Sequence, residues 1–334
     1  LCKPLAIIKK ILMLDIKVVL PTFEKSPLHE AYSISKVLSA KRSKKVILGK
    51  KKDKVCRFCS MNESQTSFKN LAHLIPEFMG NKTLFSNYEC DNCNNYFGNL
   101  ETSLSGLGGV FNSLATLKGK KGFPKFKDNS DEIEIFARSI KDIVIRFNNP
   151  EKKSRSIQRD TNNKLYHFNI QQPSYIPQNA FKSLMKIGVG MMPETEFNDY
   201  KNTMAWLLDG NSVDQTNNPL FQVYRKLGGE RRFLQPWAIL FKKREFNNNY
   251  LYPKHTLVIF YGILTYQIFI PTVEDKDLLF NQNEMILPIS KYLVELKRND
   301  KVNNTAHVVP INLGSNLKFR PKRIEFSSHF RTHE

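Results

Sequence analysis

The sequence contains few cysteines and no long apolar segment. Its 334 residues include five cysteines, which is too few for the disulfide framework of a small secreted protein. No segment approaches the roughly 20 apolar residues of a membrane span, since charged residues interrupt the most apolar candidate, residues 5–20. The GxxxxGK[ST] and GxSxG motifs of phosphate-binding loops and nucleophile elbows are also absent. We therefore expect a cytoplasmic protein that does not bind a membrane.

Acidic residues are scarce relative to basic ones. The chain has 51 Lys and Arg against 31 Asp and Glu, a formal net charge of +20. Lysines that contact phosphates release counterions, so such a charge favours a nucleic-acid partner over a merely solvated basic surface. Several lysines are grouped just before the cysteines and in the Gly- and Lys-rich residues 106–127. The predicted contacts to the nucleic-acid backbone are Lys50, Lys51, Lys52, Lys54, Lys118, Lys120 and Lys121.

Four of the five cysteines form two CxxC pairs. Cys56 and Cys59 make the first pair, and Cys90 and Cys93 make the second. Two such pairs bring four thiolates together around a tetrahedral zinc ion, and in a long chain this spacing favours metal binding over disulfides. Thiol redox chemistry is the weaker alternative. The sequence therefore predicts a structural zinc site.

The hydrophobic patterns divide the chain into three regions. Residues 1–45 are an N-terminal extension, residues 46–127 hold the cysteines with their basic flanks, and residues 131–334 form a larger α+β domain of unknown role. In the middle region the patterns predict strands over 46–48, 67–74 and 84–89 and a helix that begins near Asp91. In the third region they predict strands over 132–136, 143–147, 164–170 and 236–241, helices within 179–208 and a hairpin over 255–270. We expect an α+β fold with a small zinc-stapled unit.

A single histidine, His73, lies between the two cysteine pairs. Imidazole is a suitable base near neutral pH for a water that attacks a phosphodiester, although a lone histidine is also common as a packed residue. Asn94 directly follows the last cysteine, so its amide oxygen is a candidate ligand for a hard cation, with helix capping as the alternative. Glu101 lies two helical turns further on and is the candidate second ligand, with an exposed helical glutamate as the alternative. Glu77 is a weaker candidate of the same kind.

These residues resemble the HNH, or ββα-metal, endonuclease family with a four-cysteine zinc site. The run AHLIPEFMGNKTLFSNYECDNCNNYFGNLE, residues 72–101, is similar to endonuclease VII-like enzymes and to bacterial HNH proteins with an AHIIPE…ECDxCN signature. The resemblance implies that the cysteines bind structural zinc, that His73 is the general base and that Asn94 binds a catalytic Mg²⁺ or Mn²⁺. The implied activity is hydrolysis of phosphodiester bonds in double-stranded DNA with low sequence specificity. Since some such proteins are anti-phage defence effectors, residues 131–334 are expected to gate the domain through a ligand or protein.

One position departs from the family pattern. Ala72 stands where many of these enzymes carry an acidic metal ligand, immediately before the histidine. Either another oxygen, such as that of Glu101 or Glu77, completes the site, or the chain is a non-catalytic zinc-binding module that binds nucleic acid.

Overall fold

The computed structural model describes most of the chain. The described residues are 27–41, 44–128, 133–147, 157–160, 162, 165–228, 232–245, 252–272, 289–290, 293, 307–320 and 323–329. They form a mixed α+β fold, which confirms the predicted class. Most of the predicted N-terminal extension lies outside these residues. None of the helices in the described part combines the length and the apolar character that crossing a membrane requires.

The elements alternate along the chain without a simple repeat. The first group is α1 (Pro27–Ala31), β1 (Tyr32–Ser39), β2 (Val46–Leu48), β3 (Ala72–His73), β4 (Leu84–Ser86), α2 (Asp91–Gly108), α3 (Val110–Leu114) and β5 (Lys125–Lys127). The second is β6 (Ile133–Ser139), β7 (Asp142–Phe147), β8 (Ile157–Asp160), β9 (Leu165–Gln171), α4 (Pro177–Met191) and α5 (Lys201–Leu208). The last is β10 (Gln222–Leu227), β11 (Phe233–Lys243), β12 (His255–Gly262), β13 (Leu264–Ile270), β14 (His307–Asn312) and β15 (Arg323–His329). Short 3₁₀ helices cover Glu77–Met79, Glu194–Tyr200 and Pro219–Phe221.

The cysteine-containing unit is built on a small mixed sheet. Its strand order is β2-β4-β3, with β2 parallel to β4 and β3 antiparallel to it. Helix α2 begins directly after this sheet, so the predicted order of strand, strand and helix is confirmed for β3, β4 and α2. Strand β2 forms one edge of the sheet and pairs with β4, although β3 is the strand that follows it in the chain.

Strand β3 is much shorter than the predicted strand over 67–74. The Asp91 carboxylate accepts hydrogen bonds from the main-chain N–H groups of Lys69 and Asn70, at 3.0 and 2.8 Å, and from the Ser67 hydroxyl. These residues therefore satisfy their polar groups through one side chain rather than through a strand ladder. The resulting turn, which precedes β3, is therefore bonded to the first residue of α2.

A six-stranded antiparallel sheet forms the centre of the C-terminal half. Its order is β1-β11-β12-β13-β10-β14, and the predicted hairpin of β12 and β13 is confirmed. Every residue of these two strands is buried. A strand buried on both faces reads as a continuous apolar run instead of an alternating one. Apolar clusters accordingly cover both faces of the sheet.

Helix α4 lies between the cysteine-containing unit and this large sheet. It packs against α2 on one side and against β13 on another, within one apolar core. Two glycines make the approach close: a Cβ at Gly188 would lie 2.4 Å from Ile270 Cδ1, and a Cβ at Gly190 would lie 2.4 Å from Leu74 Cδ1. Since real Cβ atoms do not approach so closely, a larger residue at either position would require the Ile270 or Leu74 side chain to shift within the core.

Candidate zinc centre and active site

The four cysteines of the two CxxC pairs meet at one point. Cys90 is the N-cap residue of α2 and Cys93 lies in its first turn, while Cys56 and Cys59 lie in a turn after β2. The four sulfurs all lie within 4.8 Å of one another, and those of Cys59 and Cys90 are 3.7 Å apart. A tetrahedral ion with Zn–S bonds of about 2.3 Å separates its sulfurs by about 3.8 Å. The cluster therefore fits a structural zinc ion, as the spacing predicts.

Hydrogen bonds prepare these sulfurs for a cation. The Cys90 main-chain N–H donates to the Cys56 sulfur, and the Cys93 N–H donates to the Cys90 sulfur, both at 3.5 Å. The Cys93 side chain, helped by main-chain N–H groups and opposed by burial, lowers the pKa of Cys56 to about 5. The lowered pKa favours the thiolate form of Cys56, which is the form that binds zinc, whereas burial raises the pKa of Cys59 to about 11.

Asn94 lies in the first turn of α2, next to this cluster. Its main-chain N–H donates to the Cys90 carbonyl at 2.9 Å, and its side chain is half-buried. The N-cap of the helix is Cys90, whose sulfur accepts from the Cys93 N–H. The capping alternative for Asn94 is therefore wrong, and the main chain of Asn94 belongs to the same first turn of α2 as Cys93.

His73 is half-buried at the end of β3. Its ring centroid lies 4.6 Å from that of Phe85 on the paired strand β4, and its Nε2 lies 3.8 Å from Glu77 Oε2. Its Nδ1 is buried and has no hydrogen-bond partner among the residues that the structure describes. Burial lowers the pKa of His73; Lys186 and Lys120 act in the same direction and Glu77 opposes them. The imidazole is therefore neutral near pH 7, as a general base must be.

The loop after His73 is closed by an asparagine that the sequence analysis did not single out. Asn81 is fully buried, and its amide donates to the Ile75 and Leu84 carbonyls at 2.7 and 2.8 Å. Its Oδ1 accepts from the Leu84 N–H at 2.9 Å. Gly80, with φ of 90°, makes the turn that precedes it. The Gly-Asn pair is the only local signal for this role, and it predicts a turn rather than a buried network.

Glu101 faces a lysine of the C-terminal half. Its Oε1 lies 3.6 Å from Lys186 Nζ, and its side chain is 22% exposed. Glu89 lies on the other side of the same ammonium, at 3.1 Å, and is almost fully buried. Burial is the largest cause that raises the pKa of both carboxyl groups. The structure thus brings Glu101 to Lys186, and His73 to Glu77.

The position before the histidine contributes no ligand. Ala72 is 1% exposed and pairs with Ser86 in the small sheet. Among the residues that the structure describes, the four cysteines are the only group of three or more His, Cys, Asp or Glu side chains placed to share a metal ion. A catalytic cation near His73 would therefore depend on amide, main-chain and water oxygens together with one or two carboxylates.

The predicted basic contacts lie on the surface at two places. The segment Lys50–Lys52 is exposed ahead of the cysteines, and Lys54 lies 3.8 Å from Glu63. Lys118, Lys120 and Lys121 are exposed on a tight turn closed by hydrogen bonds between Gly119 and Gly122. A Cβ at Gly119 would lie 3.4 Å from the Cα of Phe78, so this turn packs beside the loop that carries Glu77.

Arg57, between the first two cysteines, is a further residue that the sequence analysis missed. Its guanidinium stacks 3.4 Å above the Tyr88 ring and 4.3 Å from the Phe197 ring. Its Nη1 donates to the carbonyls of Val189, Gly190 and Met192 at the C-terminus of α4, at 3.2, 3.2 and 2.8 Å. A cation at this end of a helix satisfies unpaired carbonyls and complements the helix dipole. Arg57 therefore fixes the zinc knuckle to α4.

The comparison with known families agrees with this site. Residues 56–103 match the family described as HNH endonuclease. The matched segment contains both cysteine pairs, His73, Asn94 and Glu101. Searches of the curated proteins and of the solved structures each found no match. Residues 56–103 are therefore an HNH endonuclease domain, which supports a nuclease function and a nucleic-acid substrate.

Proposed function

We propose that this chain is a divalent-metal-dependent endonuclease that hydrolyses phosphodiester bonds in double-stranded DNA. The observation that carries the proposal is the position of His73, which β3 holds half-buried beside Phe85 and Glu77 within the segment that matches the HNH family. Such an imidazole can take a proton from water at neutral pH.

In the proposed mechanism Nε2 of His73 accepts the proton of the attacking water. Nδ1 is buried, so Nε2 is the nitrogen that can meet a water molecule. The Glu77 carboxylate lies 3.8 Å from Nε2 and stabilises the imidazolium that forms. Phe85 packs against the ring and keeps it in one orientation.

The proposed ligand of the catalytic Mg²⁺ or Mn²⁺ is the Asn94 amide oxygen. Zinc at the adjacent cysteines holds α2 and so fixes Asn94. The divalent ion, when bound, stabilises the charge that develops on the phosphate and on the leaving oxygen. Glu101, the second ligand that the sequence predicts, is not included in this proposal, because Lys186 Nζ lies 3.6 Å from its Oε1.

The proposed DNA contacts are the two groups of exposed lysines. The turn of Lys118–Lys121 packs beside the Glu77 loop, which supports a role for these lysines in holding phosphates near His73. Lysines that contact phosphates give affinity without reading bases, so low sequence specificity follows. We further propose that the C-terminal half gates cleavage, as in a defence effector, because α4 holds the HNH domain through Arg57 and Lys186.

The alternative function is a non-catalytic zinc-binding module for nucleic acid. The observation in its favour is Ala72, a buried apolar residue where an acidic ligand is common in the family. This alternative predicts salt-sensitive DNA binding without cleavage in Mg²⁺ or Mn²⁺.

The experiment that decides between them is cleavage of supercoiled plasmid by the zinc-loaded full-length protein in Mg²⁺ or Mn²⁺. We expect H73A to lose at least about 10²-fold in rate, the usual contribution of a general base. The matched control is H167A, since His167 is an exposed histidine on β9. Equal zinc content in all three proteins shows that the knuckles are intact. Cleavage by H73A at the parent rate would refute the proposal.

A further inference from the structure

A buried lysine of helix α4 lies among oxygen atoms of the HNH domain. Lys186 is 2% exposed, and its Nζ lies 3.1 Å from Glu89 Oε1 and 3.6 Å from Glu101 Oε1. Nζ also donates a hydrogen bond of 3.2 Å to the main-chain carbonyl of His73. Three oxygens therefore surround an ammonium group that has three N–H donors.

The Lys186 ammonium compensates the negative charge of the two carboxylates inside the protein. Both carboxylates are largely shielded from solvent, with Glu89 2% and Glu101 22% exposed, and Lys186 Nζ lies within 4 Å of each. Removing one partner of a buried ion pair leaves the other partner charged and uncompensated, which is strongly unfavourable. Without Lys186, the two glutamates would need protons or another cation.

The oxygens around Lys186 are also the kind that a hard divalent cation prefers. Mg²⁺, Mn²⁺ and Ca²⁺ bind carboxylate and main-chain carbonyl oxygens. Glu89, Glu101 and the His73 carbonyl supply this set, but the cation among them belongs to the chain itself. An ammonium so close to Glu101 also lowers the attraction of that carboxylate for a metal ion.

We propose that Lys186 is the resident cation of this oxygen cage, and that it prevents Glu101 from binding the catalytic metal. Lys186 is thus a specificity-determining residue. It restricts the protein ligands of the catalytic metal to Asn94 and the groups around Nε2 of His73. The inference rests on the proposed function in so far as it concerns that metal. Its test measures cation binding and does not depend on cleavage.

The test is a Mn²⁺ titration of zinc-loaded, full-length protein, followed by the loss of the electron paramagnetic resonance signal of free Mn²⁺. K186M should bind one more Mn²⁺ per chain than the parent, because the methionine removes the ammonium and leaves the two glutamates. K186M/E101Q should lose the added ion. In the parent background, E101Q should leave the number and affinity of bound Mn²⁺ ions unchanged within twofold.

Helix α4 provides a matched control four residues earlier. Lys182 is equally buried, but its Nζ contacts the Asp209 carbonyl and the Ser212 hydroxyl, at 2.5 and 2.6 Å. K182M therefore removes a buried ammonium from the same helix without freeing a pair of carboxylates, and should bind no additional Mn²⁺. K186R keeps a positive charge in the cage and should not gain an ion either.

Two results would overturn the inference: K186M that binds no additional Mn²⁺, or E101Q that abolishes Mn²⁺ binding by the parent. If K186M is unfolded without metal, thermal melts with and without Mn²⁺ show whether the ion restores the fold by binding in place of the ammonium. Recovery of a cooperative transition in Mn²⁺ supports the cage, and its absence counts against it. If cleavage by the parent protein does not depend on His73, the proposed function is refuted. The Mn²⁺ binding results still test the role of Lys186, because they do not depend on cleavage.

Discussion

Replacing Asn81 by alanine should loosen the loop that carries the proposed base and its partner. The Asn81 amide makes four hydrogen bonds, to the carbonyls of Ile75 and Leu84 and from the main-chain N–H groups of Thr83 and Leu84. One of these acceptors, the Leu84 carbonyl, keeps the Leu74 N–H as a donor at 3.2 Å. Three bonds are therefore lost without replacement, and at about 1 kcal/mol each the variant should lose about 3 kcal/mol.

The loss should be local, and hydrogen–deuterium exchange measures it. A loss of about 3 kcal/mol corresponds to roughly 150-fold, since 1.4 kcal/mol is a factor of ten. Amide protection in peptides that cover residues 72–86 should fall by that factor. Peptides from β12 and β13 should keep their protection, because they belong to the buried centre of the large sheet. Zinc content should remain that of the parent.

The matched control for N81A is N99A. Asn99 is an exposed residue of α2, so its replacement should change protection by less than the equivalent of about 0.5 kcal/mol. If N81A reduced protection of residues 72–86 by less than about tenfold, equivalent to 1.4 kcal/mol, the closure of this loop by the asparagine would be refuted.

Two further predictions concern the reaction and the substrate. Because burial lowers the pKa of His73 from its ordinary value of 6.5, the acidic limb of the pH–rate profile should have its midpoint below pH 6.5, where the histidine gains its proton. A profile at saturating Mn²⁺ with its midpoint above 6.5 would contradict this. Replacing Lys118, Lys120 and Lys121 together by alanine should reduce the slope of log K against log salt by about 2.7 for duplex DNA, since each phosphate contact contributes about 0.9. Fluorescence anisotropy at several salt concentrations measures the slope, with the exposed Lys141 replaced by alanine as the control; an unchanged slope in the triple variant would exclude these contacts.

Short-range patterns were sufficient to predict the zinc cluster and much of the fold. The CxxC spacing fixes two sulfurs within each turn, so the four cysteines of the structure meet as expected. The continuous apolar runs of β12 and β13 and the end of α4 before Pro193 are equally local signals. The strands and the helix end follow from local patterns alone, whereas the two cysteine pairs, 31 positions apart, are expected to meet because one tetrahedral ion needs four ligands.

The contacts around the site depend instead on residues that are far apart in sequence. Lys186 meets the His73 carbonyl across 113 positions, and Arg57 meets the Met192 carbonyl across 135. Lysines at helical spacing within an apolar stretch do not show which carboxylates they will meet. The role of Glu101 therefore could not be decided from its position on α2 alone, and the shortened β3 likewise follows from the Asp91 side chain.

The absence of an acid at position 72 is physically consistent with Lys186. The Ala72 side chain is buried, so a carboxylate there would need a cation to compensate it. The ammonium that bonds the adjacent His73 carbonyl already serves Glu89 and Glu101. A third buried carboxylate, at position 72, would therefore lack a cation of its own. An A72D substitution should lower the midpoint of thermal unfolding, and adding K186M should lower it further unless Mn²⁺ is present.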